Sequence, residues 1–199
     1  MSKVTCDMAM SIDGYVAGFN QRFDAPFGDG VEGVLHRWMF EAAEENADEL
    51  RRITEAGAYI MGRNMFTPGR GEWDPEWTGW WGAEPPYHGP VFVLTHFPRE
   101  SVEKEGGTTF HFVTGGMGEA FERAKAAAGD RSISITGGAA TVNQFLAAGL
   151  IDELRLHVAP VMLGQGERLF DGVGRTEWQV VEARHTGFVT HVTYARTPA

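Results

Sequence analysis

Short apolar runs, separated by glycine, proline and acidic residues, divide this chain into strand-like and helix-like segments. VTCDMAM, residues 4–10, is short and largely apolar and is broken by SIDG, which predicts a first strand. A glycine- and aspartate-rich loop follows through Asp29-Gly30. Val34, Leu35, Trp38, Met39 and Ala42 then fall at helical spacing with acidic residues on the other side, so the pattern predicts a helix over 31–56, stopped by Gly57. AYIMG (58–62), VFVLT (91–95), FHFV (110–113) and SISIT (132–136) read as strands. Residues 119–128 and 141–148 read as helices, the second closed by Gly149. The tail adds three strand candidates, ELRLHVAPVM (153–162), EWQVVEAR (177–184) and FVTHVTYAR (188–196). The last two are joined by His185-Thr186-Gly187, as an antiparallel hairpin would be. Strands alternating with helices over short connections predict one α/β domain over 1–199: a largely parallel sheet, helices on both faces and an antiparallel end.

Residues 67–90 break the pattern. They hold Trp73, Trp77, Trp80 and Trp81 with no helical or strand period. Long irregular segments in compact domains are functional loops or disordered linkers, and the aromatic rings argue against disorder. A wall of these four tryptophans suits a flat heterocyclic substrate, while a hydrophobic cover on the sheet or a dimer contact explains them equally.

Composition narrows the classes. The 199 residues are 43% hydrophobic, enough for a substantial core, and the formal net charge is −10. That charge argues against nucleic acid and anionic membrane as partners, because phosphate-rich surfaces need basic patches. The one cysteine, Cys6, lies in the first predicted strand, so an internal disulfide is excluded, and no Cys/His spacing fits zinc. No apolar leader and no run of membrane-spanning length is present, so a cytoplasmic protein is expected.

Candidate chemistry gathers at strand ends, where open α/β sheets bind ligands. Gly62-Arg63-Asn64 follows AYIM, Thr95-His96 follows VFVL, and Gly137-Gly138 follows SISIT. A glycine pair opening a helix points backbone N–H groups and the positive end of the helix dipole at an anion. Arg63 adds a planar donor set suited to phosphate, and Thr95 and His96 add hydrogen bonds. A dinucleotide with a pyrophosphate and a second phosphate matches three such corners. A tight turn explains the glycine pair as well, and the pair is not part of a GxGxxG fingerprint.

The ordered set SIDGYVAG (11–18), YIMGRNMF (59–66), VFVLTH (91–96) and ITGGAATVNQFLAAGLIDELRLHVAPVMLGQGERLF (135–170) closely resembles the dihydrofolate reductase-like superfamily. Within it, the nearest match is the reductase domain at the carboxyl end of the bifunctional riboflavin-biosynthesis deaminase-reductase. The last stretch is the most specific, and the likeness runs from about Lys3 to Phe170. The resemblance implies a three-layer dihydrofolate reductase-like fold, an NADPH-dependent reductase without a metal, and a small pterin- or pyrimidine-like substrate. Carried over by position, Arg63, Asn64, Thr95 and His96 hold the adenosine phosphate side of NADPH. Gly137, Gly138, Ala139, Ala140 and Thr141 contact the pyrophosphate. Ser11, Ile12, Asp13 and Gly14 lie over the nicotinamide and substrate. The branch commonly pairs through edge strands, so a homodimer is expected.

Departures limit the reading. No HxE with PCxxC arrangement is present, so a fused deaminase is not expected. The carboxylate that dihydrofolate reductase places near its first helix has Asp29 and Glu32 as counterparts, with Asp24 a further candidate; helix capping explains such residues too. Asp13 is either a proton source or the holder of a turn. NADH or FMN are the alternative cofactors. A non-enzymatic nucleotide- or flavin-binding protein and a true dihydrofolate reductase are the alternative functions.

Overall fold

The computed structural model describes residues 2–69 and 71–197. In chain order the elements are β1 (Val4–Ser11), β2 (Tyr15–Ala17), a 3-10 turn (Val34–His36), α1 (Arg37–Phe40), α2 (Ala47–Thr54), β3 (Ala58–Gly62) and α3 (Arg63–Phe66). There follow β4 (Pro90–Leu94), β5 (Val102–Glu103), β6 (Thr109–Val113), α4 (Gly116–Ala128), β7 (Ile133–Gly137) and α5 (Ala139–Ala147). The chain ends with β8 (Glu153–Ala159), β9 (Glu167–Arg168), β10 (Trp178–His185) and β11 (Thr190–Arg196).

Nine strands form one sheet in the order β10-β11-β8-β1-β7-β3-β4-β6-β5, and β2 pairs with β9 beside it. The six strands from β8 to β6 run parallel, while β5 and the β10–β11 hairpin close the two edges antiparallel. The fold is the three-layer dihydrofolate reductase-like arrangement, with helices on both faces. No helix among the described residues is long and apolar enough to cross a membrane.

Alternation along the strands sorts side chains between two faces. Val4, Cys6, Met8 and Met10 of β1 join Ile133 and Ile135 of β7 in a core closed by Ala120 and Ala124 of α4 and Val142 and Phe145 of α5. On the other face Tyr59 and Met61, Val91 and Val93, and Phe110 and Phe112 form a second core under Phe66, Trp73, Trp77 and Trp81. Beside it, over β1, β8 and β11, the same face carries Asp7, Arg155, His157 and His191.

The helix expected over 31–56 is interrupted. Leu35 and Trp38 point inward as their spacing predicted, but the chain forms a 3-10 turn and α1, leaves the helix, and resumes as α2. The cause is Asn46. Its buried amide donates to the carbonyls of Ala42 (2.7 Å) and Trp38 (3.2 Å), taking the acceptors that a continuous helix needs for its own ladder. The short β2, β5 and β9 carry too few residues for any period to show.

Candidate functional site

The carboxyl ends of β1, β7, β3 and β4 are consecutive neighbours along the sheet. Ser11, Gly137-Gly138, Gly62-Arg63 and Thr95 leave those four ends in turn. Residues from four distant stretches of chain thus converge on one rim. β1 lies between β7 and β8, the two strands joined through α5, so the rim includes the point where the winding changes direction.

The three glycines at the centre of the rim serve different ends. A Cβ at Gly62 would collide with Thr141 Oγ1, so this glycine lets the first turn of α5 pack against the end of β3. Gly137 has φ of +125°, a backbone state that side chains disfavour, and the sulfurs of Met65 and Met8 flank it. The Gly137-Gly138 peptide bond is cis. Gly138 is different: its backbone is extended (φ −73°, ψ −167°), and a Cβ there would meet nothing within 4 Å. Packing within the chain therefore does not call for glycine at 138. Behind it the N–H groups of Thr141 and Val142 turn back to the Gly138 carbonyl, so the Ala139 and Ala140 N–H groups lead the helix toward the rim. Ala139 and Thr141 are buried and Ala140 is exposed.

At the next strand end the Arg63 guanidinium carbon lies 4.1 Å from the Trp73 ring centroid and 4.8 Å from that of Phe97. Asn64, one residue on, is exposed, as is His96. The Thr95 hydroxyl is buried and accepts the Phe97 N–H at 3.1 Å, which sets the turn leaving β4. Thr95 therefore shapes the corner through its own backbone neighbours.

Asp13 is a clamp. Its carboxylate accepts the Ser11 hydroxyl (2.6 Å), the Leu163 N–H (3.1 Å) and the Gly164 N–H (2.7 Å). The Ser11 hydrogen bond foremost, with the two backbone donors, pulls its pKa down to about 2. The Ile12 N–H adds a bond to the Val161 carbonyl, so the 11–14 turn is fastened to the 161–164 segment. Ile12 itself stays exposed and Gly14 takes a positive φ at the turn. An acid held ionised in this way is no proton donor near neutral pH. Asp29 is likewise engaged, accepting Arg22 and Asn20 on the surface, and Asp24 pairs with the same Arg22. Glu32 is exposed. None of the expected carboxylates is buried, and the hydrogen bonds to Asp13 and Asp29 hold those two below the usual carboxylate range.

The tryptophan-rich loop covers the sheet. Trp73 meets Phe66 and Phe112 edge-on, Trp81 stacks on Phe110 at 5.6 Å, and the Trp77 indole donates to the Phe66 carbonyl at 2.9 Å. Trp80 reaches outward to Trp77 and Phe23. Two features of the rim had no signal in spacing. One is Phe97, an exposed ring directly after the Thr95-His96 corner. The other is an open groove of about 440 Å³ beside α5, lined by Phe19, Ala140, Asn143, Gln144 and Arg168. Asn143 holds its far wall, donating to the Arg168 carbonyl and accepting the Phe170 N–H.

Known proteins share both the pattern and the shape. Uncharacterized protein YyaP of Bacillus subtilis is 26% identical over 172 residues, which cover 84% of this chain and 80% of that one. The crystal structure of a putative riboflavin biosynthesis protein from Shewanella sp. PV-4 superimposes with a TM-score of 0.65 at 24% identity, covering 98% of this chain and 99% of its own. A pyrimidine reductase-like protein from Corynebacterium diphtheriae gives 0.60 at 14% identity, covering 100% and 93%. At these identities the structures speak for the fold alone. The RibD C-terminal domain model matches residues 2–192, nearly the whole chain, and the protein belongs to that family.

Proposed function

We propose that this protein is an NADPH-dependent reductase that transfers a hydride to a small heterocycle of the pyrimidine or pterin class. Family membership supports a reductase on a pyrimidine-like substrate, and one structural neighbour bears the name pyrimidine reductase-like. The observation that carries the reading is Gly138. It is a glycine that packing does not require, set between the start of α5 and the Arg63 corner.

The residues fit a dinucleotide. Gly138 and the leading N–H groups of α5 would receive the pyrophosphate, because a helix start offers aligned donors and a favourable dipole. Arg63 would take the adenosine phosphate on its in-plane N–H edge. When bound, the cofactor supplies the hydride from its nicotinamide ring. The chain's task is placement and exclusion of water, and orientation alone is worth about 7–11 kcal/mol in well-aligned reactions. Asp13 acts in this scheme by fastening the 11–14 turn over the nicotinamide end. With Asp13 ionised and the candidate carboxylates Asp24, Asp29 and Glu32 exposed, the proton that completes reduction comes from solvent.

Titration with NADPH and NADH, followed by nicotinamide fluorescence, tests the cofactor. NADPH should bind more tightly, Arg63→Ala should erase the preference, and Gly138→Ala should weaken both nucleotides. Oxidation of NADPH against a panel of aminopyrimidines and dihydrofolate then tests the substrate class. Binding of neither nucleotide, or tight flavin binding without turnover of any panel member, overturns the reading.

A further inference from the structure

We propose that the buried chain Asp7–His157–His191–Asn46 holds one proton more than an ionised aspartate and two neutral histidines supply, and that this proton latches α1 and α2 onto the sheet.

The count follows from which atoms face each other. The Asn46 amide nitrogen donates to the Trp38 and Ala42 carbonyls, so the amide oxygen is left to accept. His191 Nε2, 2.9 Å from that oxygen, therefore carries a hydrogen. His157 Nδ1 and His191 Nδ1 lie 2.7 Å apart, and one of them carries the hydrogen between them. A neutral His191 has already placed its one hydrogen on Nε2, so the hydrogen at this second gap is on His157. A neutral His157 then has only a lone pair at Nε2, and that lone pair faces Asp7 Oδ1 at 3.4 Å, acceptor against acceptor. Giving the middle hydrogen to His191 instead makes His191 the carrier of the extra proton and leaves the total unchanged. Three gaps need three hydrogens, and the neutral rings bring two. No side chain among the described residues fills the third gap: Asp7 Oδ1 and His157 Nε2 are buried without a hydrogen-bond partner, and Arg155 approaches the other oxygen, Oδ2, at 3.3 Å.

The surroundings suit a proton held between Asp7 and His157. Trp38 lies against the His157 ring with centroids 4.6 Å apart, a contact that gains from a cationic ring. His191 is the poorer carrier, since burial foremost and then the charge of His157 push it down to about 4. His36 on the 3-10 turn is also pushed down to about 4, mainly by burial. The other charges are matched: Arg155 with Asp7 and Glu153, Arg184 with Glu49, and Arg52 with Glu182. Loss of the third proton at alkaline pH sets two acceptors face to face and loosens the line that ends on Asn46, the residue joining α1 to α2. Just before it in the chain, Val31 and Leu35 pack with Ala159 and Leu163, and Leu163 donates its N–H to Asp13. The latch thus has a packed route to the 11–14 turn.

Side-chain nitrogen-15 spectra of His157 and the carboxyl carbon-13 shift of Asp7, followed from neutral to alkaline pH on the full chain, read the gap directly. At neutral pH either His157 should carry hydrogens on both nitrogens or Asp7 should be protonated. On the alkaline side that proton should leave, and the α2 amide resonances should move with the same midpoint while those of α4 stay. Asp7→Asn places an amide N–H in the gap, so this variant should hold a neutral His157 at neutral pH and lose the alkaline midpoint. If it does not fold, the wild-type spectra decide alone. A bare His157 Nε2 beside an ionised Asp7 at neutral pH overturns the third proton. An alkaline midpoint that α2 does not sense, or one that persists in Asp7→Asn, overturns the latch.

Discussion

The face of the sheet opposite α4 and α5 is covered in two ways. Over β3, β4 and β6 the cover is a block of rings, in which Phe66, Phe110, Phe112, Tyr87, Trp73 and Trp81 meet mostly edge to face. Over β1, β8 and β11 the cover is a buried polar chain. Asp7 lies 3.3 Å from Arg155 and 3.4 Å from His157, whose Nδ1 sits 2.7 Å from His191 Nδ1, and His191 Nε2 is 2.9 Å from Asn46 Oδ1. Arg184 of β10 then grips Glu49 of α2 with two bonds. Rings hold their neighbours by shape and area, with nothing to titrate near neutrality; burial pushes the Tyr59 hydroxyl up to about 12 and Tyr87 higher still. The polar chain holds α2 only in particular protonation states. Because the Asn46 amide nitrogen is spent on two carbonyls, its oxygen faces His191, so His191 carries its proton on Nε2 and accepts at Nδ1 from His157. The half that borders the Arg63 corner is the one that does not respond to pH.

The largest effects come from breaking either half at its centre. Asp7→Ala takes the carboxylate from beside Arg155 and His157, leaving Arg155 only its Glu153 partner, and should destabilise by about 3 kcal/mol in a urea melt. Phe110→Ala should cost about the same by leaving a cavity under the rings. Next comes acid. His191 and His36 titrate at about 4 in the fold rather than 6.5, mainly because burial disfavours their charged forms. Between those values the unfolded chain takes up more protons than the folded one, so stability is full above pH 6.5 and falls as pH drops toward 4. Thermal melts across that window should show the decline, and His36→Leu should flatten it. Removal of the charge from the partly exposed Arg184–Glu49 grip, by Glu49→Gln, should cost about 1 kcal/mol, less than a fully buried pair would. The rim glycines divide, and only Gly138 gives the smallest effect. Gly62→Ala should cost about 1–3 kcal/mol and be relieved by Thr141→Ala, whereas Gly138→Ala should stay within about 0.5 kcal/mol while nucleotide binding falls. A Gly138→Ala protein that melts like wild type and binds NADPH equally well would return that glycine to the role of a turn.

Much of this protein was legible along the chain. Strand period, the hairpin at His185-Thr186-Gly187 and the apolar stripe through Leu35 and Trp38 are local properties, set by how a backbone repeats, and they hold in the fold. The glycine corner and the ITGG-to-LF stretch were legible for the same reason: a turn and the helix after it are written in consecutive residues. Tertiary structure decided the rest, because it depends on which strands become neighbours. Asp13 reads equally as acid or turn until Leu163 and Gly164 arrive from 150 residues away and hold it ionised. The break after α1 follows from a side chain, Asn46, whose oxygen is claimed by His191 across the sheet. The tryptophans read as wall, cover or interface until the end of β4 brings Phe97 to Trp73 and closes both rings on Arg63. Periodicity reports which way a residue faces; only the packed chain reports what it faces.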